Sequence, residues 1–253
     1  MNNFTGKLFS LKGKVAIVTG ASKGIGFSLA RGLGQSGADV YGIARSEKSS
    51  TLVNSFRYIS CDVTDTNRLK KQIDEIYLET GHIDILVNCA GVSMSGSGSL
   101  ETRERIFDKT FSVNVKSPFV TIDLVSNYMK KGNGGSIINI TSIASEFGFA
   151  GNPSYVASKG ALKMLTKAFA EDLSEYGIRV NNICPGYIHT EMTSKSYEDK
   201  DLYDIRLRNT MLKRWGSPED LIGAAIFLSS DSSSYITGID LKVDGGWTAK
   251  GMV

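Results

Sequence analysis

The chain has 253 residues, 41% hydrophobic and 22% charged, enough to bury one large core in the manner of an ordinary globular protein. With 29 basic and 26 acidic side chains spread along its length, the net charge is only +3, and no basic block argues for nucleic acid or an anionic membrane surface. Cys61, Cys89 and Cys184 are odd in number and widely spaced, which fits a reducing, cytoplasmic setting better than a disulfide framework. Neither they nor His82 and His189 show metal-ligand spacing, and the polar start, Met1 to Lys14, reads as neither signal peptide nor membrane span.

In chain order, the first apolar run predicts a strand over Lys14–Thr19, followed by a glycine-rich turn and a helix over Ile25–Ser36. Strands at Asp39–Ala44 and Arg57–Ser60 precede a helix at Asp65–Glu79. A strand at Asp84–Asn88 leads into one long helical segment, Thr102–Lys131, and then a strand at Ser136–Ile140. A helix over Tyr155–Tyr176, stopped by Gly177, is followed by a strand at Arg179–Cys184. Thr190–Trp215 is polar and mixed in charge, and reads as a mobile flap. Ser217, Pro218, Glu219 and Asp220 mark the start of a helix over Pro218–Ser229, with a last strand near Leu241–Val243. Several strands are apolar without alternation, as strands covered on both faces are. The expectation is one α/β domain over residues 1–253: a doubly wound Rossmann fold, its parallel seven-stranded sheet carrying helices on both faces, with a flap at about 190–216.

The turn Thr19-Gly20-Ala21-Ser22-Lys23-Gly24-Ile25-Gly26 lies between strand and helix, where glycines let the backbone approach a pyrophosphate and the helix N-terminus meets its charge. A plain strand-to-helix turn is the alternative. At the end of the second strand, where an acid would hold ribose hydroxyls, stand Arg45 and Ser46. Arg45 and Lys23 would pair with a ribose 2′-phosphate, favouring NADP(H) with NAD(H) possible, unless both are merely solvated cations. Tyr155 and Lys159 are one helical turn apart and emerge on one face, so the ammonium is expected to favour the phenolate and lower the tyrosine's pKa. Ser142 sits just past the fifth strand, on the edge where open α/β sheets bind ligands; a turn serine is its plainer reading. Asn114 is a polar residue in the long helix, either an exposed filler or the holder of a water beside Lys159.

Together these residues resemble the short-chain dehydrogenase/reductase family over nearly the whole chain. Thr19–Gly26 matches that family's TGxxxGxG turn, and Asn88-Cys89-Ala90-Gly91 is similar to its NNAG motif, with cysteine in place of the second asparagine. Asn114, Ser142, Tyr155 and Lys159 correspond to its catalytic tetrad. Pro185-Gly186-Tyr187-Ile188-His189-Thr190 resembles its PGxxxT segment, which holds the nicotinamide, and Asp62-Val63 the pair that meets the adenine. The resemblance implies a cofactor set of Gly20, Ser22, Lys23, Gly24, Ile25, Gly26, Arg45, Asp62, Val63, Asn88, Ala90, Gly91, Tyr155, Lys159, Pro185, Gly186, Ile188 and Thr190, with no metal. It implies hydride transfer between nicotinamide and a secondary alcohol or ketone: Tyr155 as acid and base, Ser142 orienting the oxygen, Lys159 tuning the tyrosine and binding ribose, Asn114 supporting proton relay. It also implies a homo-oligomer, tetramer or dimer. Substrate candidates are the loops Ser93–Gly98 and Ala144–Asn152, Tyr187, His189 and the flap, with Phe147, Phe149 and Met192 as an apolar wall. Arg214–Asp220 and Val243–Trp247 look most like the branch acting on sugar acids and polyols; 3-oxoacyl-carrier-protein reductases share much of this pattern. A non-catalytic cofactor-binding or scaffold protein on the same fold stays as the reading from another class.

Overall fold

The computed structural model describes residues 4–46, 55–96 and 98–251. A short helix α1 (Phe4–Leu8) precedes β1 (Val15–Thr19), whose five residues are all buried. Then come α2 (Gly24–Gln35), β2 (Asp39–Ala44), β3 (Arg57–Ser60), α3 (Thr66–Thr80) and β4 (Ile85–Asn88). Helices α4 (Leu100–Phe111) and α5 (Ser117–Met129) lead to β5 (Gly135–Ile140), α6 (Pro153–Ser174) and β6 (Ile178–Pro185). Last are α7 (Ser194–Glu198), α8 (Lys200–Asn209), α9 (Ile222–Ser229) and β7 (Asp240–Val243).

All seven strands are parallel, in the order β3-β2-β1-β4-β5-β6-β7. The chain winds one way from β1 to β3 and the other way from β4 to β7. The crevice beyond the carboxyl ends of β1 and β4 is therefore the switch point where such sheets bind ligands. Alternate residues of each strand feed two apolar clusters. Ile17, Ile43, Leu86 and Ile137 pack with Leu69, Ile73, Ile122 and Leu173 on one face. Ala16, Val18, Val87 and Ile138 pack with Leu29, Leu33, Ala225 and Leu228 on the other. Covering both faces explains why the strands read as continuous apolar runs.

Two expectations need correction. The long segment expected over Thr102–Lys131 is continuously helical from Leu100 to Met129, but residues Ser112–Lys116 form a π-bulge where α4 passes into α5. Its register turns Asn114 inward, fully buried rather than an exposed filler. The segment 190–216, read from its polar, mixed-charge composition as a flap, carries regular structure of its own in α7 and α8. Asp199 caps α8 by accepting from Leu202 N at 3.0 Å, a signal present in the sequence. Aromatic rings then tie it down: His189 stacks on Tyr197 at 3.7 Å, and Tyr203 stacks on Trp215 at 5.9 Å.

One polar row crosses the second half of the sheet. Asn88, Asn139, Asn182 and Asp240 are successive register partners on β4 to β7. Asn88 Nδ2 donates to Asn139 Oδ1 at 2.9 Å and Asn139 Nδ2 to Thr166 Oγ1 at 2.8 Å. Thr166 Oγ1 donates to Asn182 Oδ1 at 2.6 Å, and Asn182 Nδ2 to Asp240 Oδ1 at 2.8 Å. The row ends in Lys163, which pairs with Asp240 at 3.2 Å and with Glu146 at 2.5 Å. Because each member is satisfied, the row stiffens the sheet instead of weakening it. It joins α6 to the strand ends on which the site is built.

Candidate active site

A cavity of about 690 Å³ opens at the carboxyl edge of the strands. At one end is the glycine turn. Gly20 has φ +74, and a Cβ there would lie 2.8 Å from Ala90 N; a Cβ on Gly26 would lie 2.3 Å from Gly20 O. Only glycine permits both approaches. Thr19 Oγ1 accepts from the backbone N–H of Cys89 and Ala90 at 3.1 and 3.2 Å, closing β1 against β4. Lys23, at the cap of α2, is extended and offers no side-chain acceptor to the first turn. The orphan N–H groups of that turn thus remain for an anion, and Gly24, Ile25 and Gly26 line the cavity. This is the arrangement a dinucleotide's pyrophosphate requires.

Ser22, Lys23, Arg45, Asp62 and Val63 line the same end. Asp62 accepts from Thr64 N at 2.9 Å and Thr64 Oγ1 at 2.8 Å; burial pushes its carboxyl up, but these bonds outweigh it and hold it below the usual range. Lys23 shares this end with Arg45 but has an acidic partner of its own. It bridges the mouth to Glu191 at 2.5 Å, both side chains being largely exposed. Arg45, exposed, lines this end and makes no ion pair among the described residues.

Ser142, Tyr155 and Lys159 line the other end, with Ala90, Gly91, Pro185, Gly186, Ile188 and Thr190 between. Asn152 Oδ1 accepts from Tyr155 N at 3.3 Å and Pro153 follows it, so the start of α6 is fixed right where Tyr155 leaves it. The phenol is enclosed: burial pushes its pKa up, and the Ser142 hydroxyl beside it pulls the other way. The net shift is upward, against the expected lowering, because burial outweighs what favours the phenolate. Lys159 Nζ, 5.7 Å from the tyrosine ring centre, spends its hydrogen bond on Ile140 O at 2.8 Å. Burial pushes Lys159 itself down to about 8. A low-dielectric pocket disfavours both charged forms at once.

Asn88 and Asn114 stand behind the cavity wall. Asn88, expected at the cofactor, is 3% exposed and belongs to the polar row; it places Cys89, Ala90 and Gly91 instead. Asn114 Oδ1 accepts from Val92 N at 2.8 Å, and its Nδ2 donates to Val92 O at 2.9 Å and Ser158 Oγ at 3.0 Å. One acceptor lone pair remains. A Cβ on Gly91 would meet Asn114 Oδ1 at 3.5 Å and Lys159 Nζ at 3.7 Å, so the glycine keeps open the space these two groups face.

Sequence reasoning passed over Ala44, Cys61, Val92, Val113, Ile140 and Thr141, which also line the wall; no motif marks them. Cys89 lines it as a neutral thiol, pushed up to about 12 by burial. Of the substrate candidates, Met192 lines the cavity, while Phe147 and Phe149 pack on Trp247 at 5.4 and 5.8 Å. Ser93 accepts from Asn152 Nδ2 at 2.9 Å; Ser97 of that loop lies outside the described residues. Among the described residues no cluster of metal-ligating side chains occurs, and no helix is long and apolar enough to cross a membrane.

The family model described as enoyl-(acyl carrier protein) reductase matches residues 20–248. The chain is 38% identical to 2-dehydro-3-deoxy-D-gluconate 5-dehydrogenase of Escherichia coli K12, over 96% of this chain and 98% of the relative. It is 39% identical to gluconate 5-dehydrogenase of Gluconobacter oxydans, over 95% and 97% respectively. A crystal structure of a gluconate 5-dehydrogenase from Burkholderia cenocepacia, in complex with NADP and tartrate, superposes with a TM-score of 0.91 at 34% identity, covering 98% of this chain and 100% of that one. The sheet order, the glycine turn and these full-length likenesses agree: the chain belongs to the short-chain dehydrogenase/reductase family.

Proposed function

We propose that this protein is an NADP(H)-dependent oxidoreductase that interconverts a secondary alcohol and a ketone on a small polyhydroxy acid of the gluconate class. One observation carries the reading: a single cavity joins an uncapped helix N-terminus to an enclosed tyrosine, serine and lysine. The acid class comes from the relatives' substrates, and the 2′-phosphate preference is supported by Arg45, which has no ion pair among the described residues.

When bound, the cofactor supplies or accepts the hydride at the substrate carbon. The N–H groups opening α2 would hold its pyrophosphate, Arg45 its 2′-phosphate, Asp62 and Val63 its adenine. Pro185, Gly186, Ile188 and Thr190 would hold the nicotinamide end, beside Ala90 and Gly91. In reduction Tyr155 donates its hydroxyl proton to the carbonyl oxygen, and in oxidation the phenolate takes it back. A phenol held protonated by burial is ready as an acid at neutral pH, and Lys159 stabilises the phenolate once the proton has left. Ser142 donates to the substrate oxygen and fixes it against Tyr155. Asn114 holds Val92 and faces Lys159 across Gly91. The reading extends to a homo-oligomer in the cytoplasm. Phe107, Phe119 and Met164, exposed apolar side chains on α4 to α6, support self-association, and three free cysteines suit a reducing compartment.

The test is NADPH oxidation against 5-keto-D-gluconate and an acetoacetyl thioester. The keto acid is the expected substrate, and Tyr155→Phe should lower turnover by about 100- to 10,000-fold while NADP(H) still binds. A Tyr155→Phe enzyme matching wild type on every ketone would defeat the proposal, and preference for the thioester would move the substrate to the acyl-carrier class.

A further inference from the structure

Three arginines are half-buried among the described residues: Arg31, Arg179 and Arg206. Arg31 donates to Glu219 at 3.0 Å and Arg179 to Leu228 O at 2.8 Å. Arg206 has no such acceptor. Its guanidinium carbon lies 4.7 Å from the centre of the Tyr187 ring and 5.6 Å from that of Trp215, and its Nη1 is buried without a hydrogen-bond partner. Aromatic faces hold the cation in place, but they leave its in-plane N–H groups unanswered.

Two further unanswered donors surround the same tyrosine. Trp215 is 7% exposed, and its Nε1 has no partner; nor has Nε1 of Trp247. Their rings lie 5.4 and 6.1 Å from that of Tyr187. The nearby carboxylates are already taken: Asp220 by both terminal nitrogens of Arg214 at 2.7 Å, and Asp244 by Gly246 N and Thr248. Three buried donors without an acceptor around one ring carry an undischarged desolvation penalty, and a ligand that supplies an acceptor relieves it. None of these four side chains lines the cavity of Ser142 and Tyr155; Tyr187 lines a second, smaller cavity that shares Ile188 with it. Tyr187 stands between Gly186 and Ile188, both in the cavity wall, and Trp247 packs on Phe147 and Phe149 of the loop that follows Ser142.

We propose that Arg206, with the indole N–H of Trp215, anchors the carboxylate of the substrate and sets the preference for hydroxy acids over neutral polyols. A carboxylate is acceptor-only and matches the planar guanidinium fork, so it fits this donor set better than a hydroxyl does. The inference rests on the oxidoreductase reading given above for its site, and adds the residue that recognises the acid. Arg206 is a specificity residue rather than a catalytic one.

The experiment compares D-gluconate with D-glucitol, which differ only in carboxylate against hydroxymethyl, on the NADP⁺-loaded enzyme. D-gluconate should raise the melting temperature where D-glucitol does not. Arg206→Gln should raise KM for D-gluconate by about 10- to 100-fold, leave D-glucitol kinetics unchanged and abolish the D-gluconate thermal shift. Arg206→Lys should recover part of the loss, and an intact NADP⁺ thermal shift shows that the variants fold. Equal effects of Arg206→Gln on both compounds, or a D-gluconate shift that survives it, would overturn the anchor. If wild type oxidises neither compound, the acid-dehydrogenase reading falls by itself. The thermal shift given by L-tartrate then decides the anchor: loss in Arg206→Gln supports it, and persistence refutes it.

Discussion

Strands β1 to β3 and strands β4 to β7 end at one crevice but line it with different chemistry. On the first side β1 and most of β2 are apolar, and the site there opens on backbone N–H groups at the start of α2, which fold into place with the glycine turn. On the second side side chains do it, and each buried polar group needs a partner of its own. Asn88, Asn139, Thr166, Asn182, Asp240 and Lys163 form one supported row, and Lys159 sits 6% exposed against Ile140 O. Binding a phosphate by backbone takes little from the fold, whereas placing an ammonium beside a phenol in a dry pocket commits the surrounding sheet.

The largest effect should come from Lys159. Its pKa is depressed on folding, so between about 8 and its ordinary value of 10.5 the unfolded chain binds more protons, and its contribution to stability grows as pH rises. Buried thiols and Tyr155, pushed upward, act in the opposite sense from about pH 9, so the signature is the difference between wild type and Lys159→Met. That difference should move by about 3 kcal/mol in favour of wild type between pH 8 and 10.5, read by denaturant titration of the cofactor-free protein. A flat difference would mean that Lys159 keeps its charge and that the two sides are less unlike than described.

Next is the polar row. Asn139→Leu leaves Asn88 Nδ2 without its acceptor and Thr166 Oγ1 without its donor, and should cost about 2–3 kcal/mol together with a fall in turnover, because Ile140 and Ser142 follow directly. A variant with full stability would show that the row is ornamental. The smallest effect lies on the first side. Arg45→Ala should leave the melting temperature unchanged and lower the preference for NADP(H) over NAD(H) by about 10- to 100-fold, measured as the ratio of kcat/KM. Loss of stability there would erase the contrast between the halves.

Much of this contrast was readable before folding. Glycine spacing, the Tyr155–Lys159 interval and the strand ends are local, since each depends on a few neighbouring φ/ψ angles or one helical turn. The capped start of α8 was equally local, through Asp199, yet the mixed charge of that segment hid it. Asn88 shows the opposite case. Its position in a motif suggested the cofactor, while its side chain answers to Asn139, a register partner 51 residues away.

The sequence by itself determined the parallel α/β architecture, the glycine turn that opens α2 and the side chains that line the cavity beside it, because hydrophobic period, glycine and capping signals act over short spans of chain. Only the tertiary structure decided the sense of the Tyr155 and Lys159 shifts, the inward turn of Asn114, the bridge of Lys23 to Glu191 and the unanswered donors of Arg206. Those follow from burial and from which strands and loops become neighbours, and desolvation has no meaning until the pocket that excludes water exists.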